Sequence, residues 1–101
     1  MEKATDNNFK ELTNSGLVLV DFYATWCGPC QMLKEELEEL EKDNRFKIVK
    51  VDVDESEQTA NDFNVDAVPS VFLLKDGKII DSFMGYMPAK LILKKFERHF
   101  N

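Results

Sequence analysis

A chain of 101 residues is long enough for one domain, residues 1–101, built on one core and too short for two. Its 44% hydrophobic and 32% charged residues suit a packed globule with a solvated surface and exclude an intrinsically disordered chain. A formal net charge of −6 repels phosphate backbones, so nucleic acid is not an expected partner. The charge is uneven: residues 34–43 carry Glu35, Glu36, Glu38, Glu39, Glu41 and Asp43, whereas Lys90, Lys94, Lys95 and Arg98 crowd the end. Two solvated helix faces are the simple meaning of that pattern.

No run approaches the ~18 apolar residues of a membrane span, so no membrane association is expected. Met1–Asn8 lacks the apolar core of a secretory signal. The expectation is a cytoplasmic protein in a reducing compartment, where a lone cysteine pair points to catalysis or metal rather than to a structural crosslink.

In chain order, residues 6–14 read as a short helix with Asp6 as N-cap, leaving room for a short strand before it. Asn14-Ser15-Gly16 stops it. Leu17-Val18-Leu19-Val20-Asp21-Phe22-Tyr23 is an apolar, β-rich run of the kind covered on both faces. Leu33, Leu37 and Leu40 then mark one stripe of an amphipathic helix ending near Asp43-Asn44. Phe46–Asp54 reads as a strand in which Val49, Val51 and Val53 alternate with Lys50, Asp52 and Asp54. A short helix through about Phe63 follows, capped by Asp54 with Glu57 or by Ser56. Asp76-Gly77 between Val71–Leu74 and Ile79–Phe83 is a strong hairpin signal. Gly85 ends the second of these strands, and Pro88 opens the last helix at its N1 position, with Ile92, Phe96 and Phe100 facing inward. Strand–helix–strand units call for parallel pairing and the hairpin adds antiparallel strands. The expected class is α/β, a central mixed sheet flanked by four helices.

Trp26-Cys27-Gly28-Pro29-Cys30 stands where the first long strand hands over to the amphipathic helix, and it holds both cysteines of the chain. Free N–H groups and the dipole at a helix start favour a thiolate on the first sulfur. The second lies one turn on, within disulfide reach. Pro29 suits a first turn that needs no N–H. A disulfide closing so short a loop removes little chain entropy, on the order of 2 kcal/mol against nearly 5 for a ~100-residue loop. Its use is to be made and broken. A zinc site needs three or four ligands, and with no second cysteine pair and a single His99 none is expected. No phosphate loop or dinucleotide fingerprint is present, so no bound cofactor is expected either, only the redox-active Cys27–Cys30 disulfide.

The run Val18–Cys30 resembles the active-site segment of the thioredoxin family. The likeness continues through Lys50-Val51-Asp52-Val53-Asp54, Val65-Asp66-Ala67-Val68-Pro69-Ser70, Lys75-Asp76-Gly77 and Gly85. It implies a thioredoxin fold and a protein-disulfide reductase in which Cys27 attacks a client disulfide and Cys30, less exposed and less acidic, resolves the mixed disulfide. Asp21 matches a buried acid that relays a proton to or from Cys30, with a solvated strand end as the alternative its residue type allows. Lys50 matches that acid's partner and could as well be a solvated strand residue. Pro69 matches a cis-proline facing the cysteines, against the trans default of ordinary X-Pro bonds. Trp26, Gly28, Pro29, Ala67, Val68 and Gly85 would complete a docking surface, with core packing the alternative for Trp26.

Tyr23 departs from the Trp common at its position, Gln31 from a Lys, and Glu35 from a helix-kinking proline, which makes a straighter helix the expectation. The resemblance further implies a monomer recharged by a flavin- and NADPH-dependent thioredoxin reductase, with clients such as peroxiredoxins and ribonucleotide reductase. Pro29 between the cysteines argues against an isomerase, which usually carries His there.

Overall fold

The computed structural model describes residues 1–100. Five strands form one sheet in the order β1-β3-β2-β4-β5: β1 (Glu2–Ala4), β2 (Leu17–Tyr23), β3 (Lys47–Asp52), β4 (Ser70–Lys75) and β5 (Lys78–Met84). β1 and β2 run parallel to β3, while β4 lies antiparallel to both β2 and β5. The helices are α1 (Phe9–Thr13), α2 (Gly28–Leu40), α3 (Glu57–Asp62) and α4 (Ala89–Phe96), the last followed by a 3₁₀ turn over Glu97–His99.

The β2 run is apolar because both faces are covered. On one face Leu19, Ile48, Val71, Leu73 and Phe83 pack against Leu33, Leu37 and Leu40 of α2 and Ile92 and Phe96 of α4. On the other, Val18, Val20, Phe22, Val49 and Val51 meet Phe9 and Leu12 of α1 and Ala60 of α3. Alternate residues of β2 therefore serve opposite cores. Asp21 falls on the α2 side, in step with Leu19. The hairpin turns on Asp76 (φ 51°) and Gly77 (φ 86°), both left-handed, as the Asp-Gly pair requires. Asp76 also anchors the turn to the loop before β2: its carboxylate accepts the Gly16 N–H at 2.8 Å and its own N–H reaches the Gly16 carbonyl at 3.0 Å.

Several element ends differ from the sequence expectation, and at two helix starts a distant group does the capping. Asp6 does not cap α1, which begins at Phe9 after Asn8. Its carboxylate instead accepts the N–H and hydroxyl of Thr59 in the first turn of α3, at 2.9 and 2.6 Å. Neither Asp54 nor Ser56 caps that helix through its side chain. Pro88 is the residue before α4 rather than its first: it is extended (ψ 151°), and the N–H of Ala89 goes to Glu36 of α2 at 2.8 Å. α2 stops at Leu40, and β3 spans Lys47–Asp52 rather than Phe46–Asp54. Asp52 is buried, and its carboxylate accepts the N–H of Asp54 at 2.9 Å in the turn that leaves β3. Phe100 is only half-buried, stacked on Phe46 and with the Arg45 guanidinium 4.5 Å from its ring centroid.

Candidate active site

The end of β2 and the start of α2 place both sulfurs. Cys27 is the residue preceding α2, extended at φ −91° and ψ 113°, with Gly28 and Pro29 as the first helical residues. Its sulfur accepts the N–H of Cys30 at 3.2 Å, the bond a capping side chain makes at a helix start. The two are joined as a disulfide with Cα atoms 5.3 Å apart. Both are buried, 5% and 3% exposed, so the difference in exposure expected between them is slight in this oxidised state.

A loop from across the sheet completes the surroundings. The Val68 carbonyl lies 3.8 Å from Cys27 Sγ, and the Val68–Pro69 bond is cis. Ser70 donates its hydroxyl to the Ala67 carbonyl at 2.6 Å, closing the turn ahead of β4. Gly85, left-handed at φ 83°, donates its N–H to the Pro69 carbonyl at 2.9 Å, which ties the end of β5 to the same loop.

Trp26 is not core: it is 72% exposed, its indole N–H held by Asp54 at 2.9 Å. Between its ring and the Val65–Val68 loop lies an apolar cavity of about 170 Å³. Gly28, Pro29 and Ala67 are exposed around the disulfide, and Val68 and Gly85 are half-buried.

Behind the disulfide a second cavity, about 220 Å³, is lined by Met1, Asp21, Tyr23, Thr25, Cys30, Gln31, Lys34 and Lys50. Asp21 is buried, and its Oδ1 makes no hydrogen bond. Burial pushes its carboxyl up to about 7, the Lys50 charge pulling in the opposite direction. Lys50 stands opposite Asp21 in the register of β2 and β3 and is half-buried.

Sequence reasoning missed Asp54 as the anchor of Trp26, having read it as the end of a strand and a helix cap. It also passed over Met32 and Met84, 54% and 68% exposed, one beyond Cys30 and the other paired with Ser70 beside Pro69. A signal existed for Met32, an apolar residue standing off the Leu33–Leu37–Leu40 stripe.

An α/β sheet that presents a dithiol–disulfide pair at a helix N-terminus defines a thiol–disulfide oxidoreductase. Known proteins agree in detail. The Thioredoxin family model matches residues 1–98. Thioredoxin of Bacillus subtilis is 41% identical over 99 residues, covering 96% of this chain and 95% of that protein. Thioredoxin 2 of Chlorobaculum tepidum is 44% identical over 101 residues, covering 96% and 93%. Among solved structures, Fasciola hepatica thioredoxin superposes with a TM-score of 0.88 at 36% identity, over 98% of this chain and 99% of that one. Malassezia sympodialis thioredoxin gives 0.87 at 32% identity, over 100% and 92%. The chain belongs to the thioredoxin family. It is a protein-disulfide reductase that carries its electrons on a cysteine pair and needs no bound cofactor. Its general partners are a reductase and proteins bearing disulfides. No described helix is long and apolar enough to cross a membrane.

Proposed function

We propose that Cys27 is the attacking sulfur and Cys30 the resolving one, within a single catalytic domain. In the reduced protein the Cys27 thiolate attacks one sulfur of a client disulfide. The client S–S bond breaks, its other sulfur leaves as a thiolate and takes a proton from solvent, and a Cys27–client disulfide forms. Cys30 then gives its proton to Asp21 and attacks Cys27 Sγ, expelling the second client sulfur. The client gains two electrons, and the chain is left with the Cys27–Cys30 disulfide.

The observation that carries this reading is the capping bond from the Cys30 N–H to Cys27 Sγ at 3.2 Å. A group that stabilises a sulfur anion there stabilises Cys27 both as the attacking thiolate and as the leaving group when Cys30 closes the ring. A buried acid with an unsatisfied oxygen in the cavity that Cys30 lines supports Asp21 as the proton partner, with Lys50 beside it.

For docking, Trp26, Gly28, Pro29, Ala67, Val68, Pro69 and Gly85 form the surface that receives an extended client segment. Pro69 has no N–H to give the sheet, which favours backbone pairing at Val68. Recharging falls to a flavin- and NADPH-dependent thioredoxin reductase, and peroxiredoxins and ribonucleotide reductase are the candidate clients of a monomer acting in the cytoplasm. The test is reduction of insulin disulfides with NADPH and a thioredoxin reductase. Wild type sustains turnover and Cys27→Ser does not; equal rates would end the proposal.

A further inference from the structure

The cavity behind the disulfide contains a charge arrangement that the exchange above does not explain. Tyr23 and Asp21 are alternate residues of β2 and share the face that α2 covers. In register, Lys50 of β3 stands beside Asp21 and Asp52 beside Tyr23, while Lys3 of β1 stands beside Lys50. A lysine next to a buried carboxylate is expected to turn toward it. Lys3 resolves its own like-charge contact by pairing with Glu55 at 2.6 Å. Lys50 does not close on Asp21, whose Oδ1 is left without a partner. Its ammonium rests over the Tyr23 ring, 5.8 Å from the centroid.

An aromatic face attracts an ammonium without requiring it to give up all of its water, whereas contact with Asp21 would take both charges into the cavity. We propose that Tyr23 is a positioning residue: its ring holds the Lys50 ammonium off the Asp21 carboxylate, so that the acid stands unpaired beside Cys30. The proposal builds on the reading of Asp21 as proton partner, but the placement of Lys50 is separable from it. An ammonium in contact would hold Asp21 ionised and spoil it as a group that both takes and returns a proton near neutrality. The other charged groups around the cavity are Lys34 of α2 and Met1, whose terminal ammonium pairs with Glu41 at 2.6 Å; Cys30, held in the disulfide, carries no proton in the oxidised protein.

The test follows the Asp21 side-chain carboxyl by carbon-13 NMR titration of the oxidised protein, a readout independent of turnover. Tyr23→Phe keeps the ring and titrates like wild type. In Tyr23→Leu the lysine is released onto Asp21, and the midpoint falls by about one unit. With Lys50→Met added, that fall disappears. A wild-type midpoint in Tyr23→Leu, or the same fall without Lys50, overturns the proposal. Should Tyr23→Leu not fold, the unaltered protein still decides: ring current from Tyr23 moves the Lys50 Cε protons upfield, and ordinary lysine shifts would refute the contact. Separately, an unchanged rate of mixed-disulfide resolution in Asp21→Asn would remove Asp21 from the exchange while leaving the Lys50 placement standing.

Discussion

Cys27 Sγ lies 3.8 Å from the carbonyl oxygen of Val68, 41 residues further along the chain. In the exchange proposed above, that approach joins the helix that would activate Cys27 to the loop that would hold a client beside it. Both depend on β2 and β4 being antiparallel neighbours, paired from Leu17↔Lys75 to Phe22↔Ser70, so that the end of one meets the beginning of the other. On that proposal a single strand pairing sets both chemistry and docking, and substitutions can separate them.

Trp26 provides one such separation. Because its side chain is 72% exposed, Trp26→Ala should change unfolding free energy by less than about 1 kcal/mol. It should nevertheless lower kcat/KM toward protein disulfides by about tenfold, since an exposed aromatic beside an apolar cavity is a typical anchor for a partner. Chemical denaturation and steady-state insulin reduction on the same preparation check the two halves.

Asp21 makes stability depend on pH with an unusual sign. Burial raises its carboxyl to about 7 in the folded chain, whereas an unfolded Asp titrates near 3.9. The unfolded chain releases this proton first as pH rises. The contribution of the neutral acid is therefore intact below about pH 4 and is lost as pH climbs through 7. The loss is on the order of 4 kcal/mol well above neutrality, from roughly three units at 1.36 kcal/mol each. Asp21→Asn should therefore match or exceed wild type in stability, by a margin that widens between pH 4 and pH 8. Urea denaturation of the oxidised proteins across that range measures the margin, and a constant one would show that Asp21 is not held neutral.

Gly77 gives a control far from the sulfurs. Its φ of 86° strains any side chain, although a Cβ there would meet nothing closer than 3.8 Å. Gly77→Ala should cost about 1 kcal/mol of stability through backbone strain alone. Insulin reduction at a temperature where the variant remains folded should be unchanged.

Much of this was legible in the sequence, and the parts that were not have one physical cause. Leu17–Tyr23 could be read as a strand because, Asp21 apart, it is an apolar run rich in Val, Phe and Tyr, bounded by Gly16 and the Trp-Cys segment. The hairpin was set by Asp76-Gly77, where local backbone preference suffices. Helix starts were misplaced wherever the cap came from elsewhere: Asp6 serves Thr59 across 53 residues, and Glu36 serves Ala89 across 53 more. The surroundings of Trp26 and Asp21 were left open for the same reason. Whether an indole lies in the core or over solvent depends on Asp54, 28 residues away, and whether an acid in a strand is buried depends on the helix that covers it. Likewise Asp81, read only as part of a strand, gathers Lys95, Arg98 and His99 from the chain end, a cluster that no local pattern announces.

The asymmetry between the two cysteines is tested most directly by trapping. Reduced Cys30→Ser and Cys27→Ser are each offered a protein disulfide, quenched with acid and resolved by non-reducing mass spectrometry. The account predicts a stable adduct joined through Cys27 in Cys30→Ser and none in Cys27→Ser. Equal adducts on either sulfur, or an adduct through Cys30 alone, would contradict it.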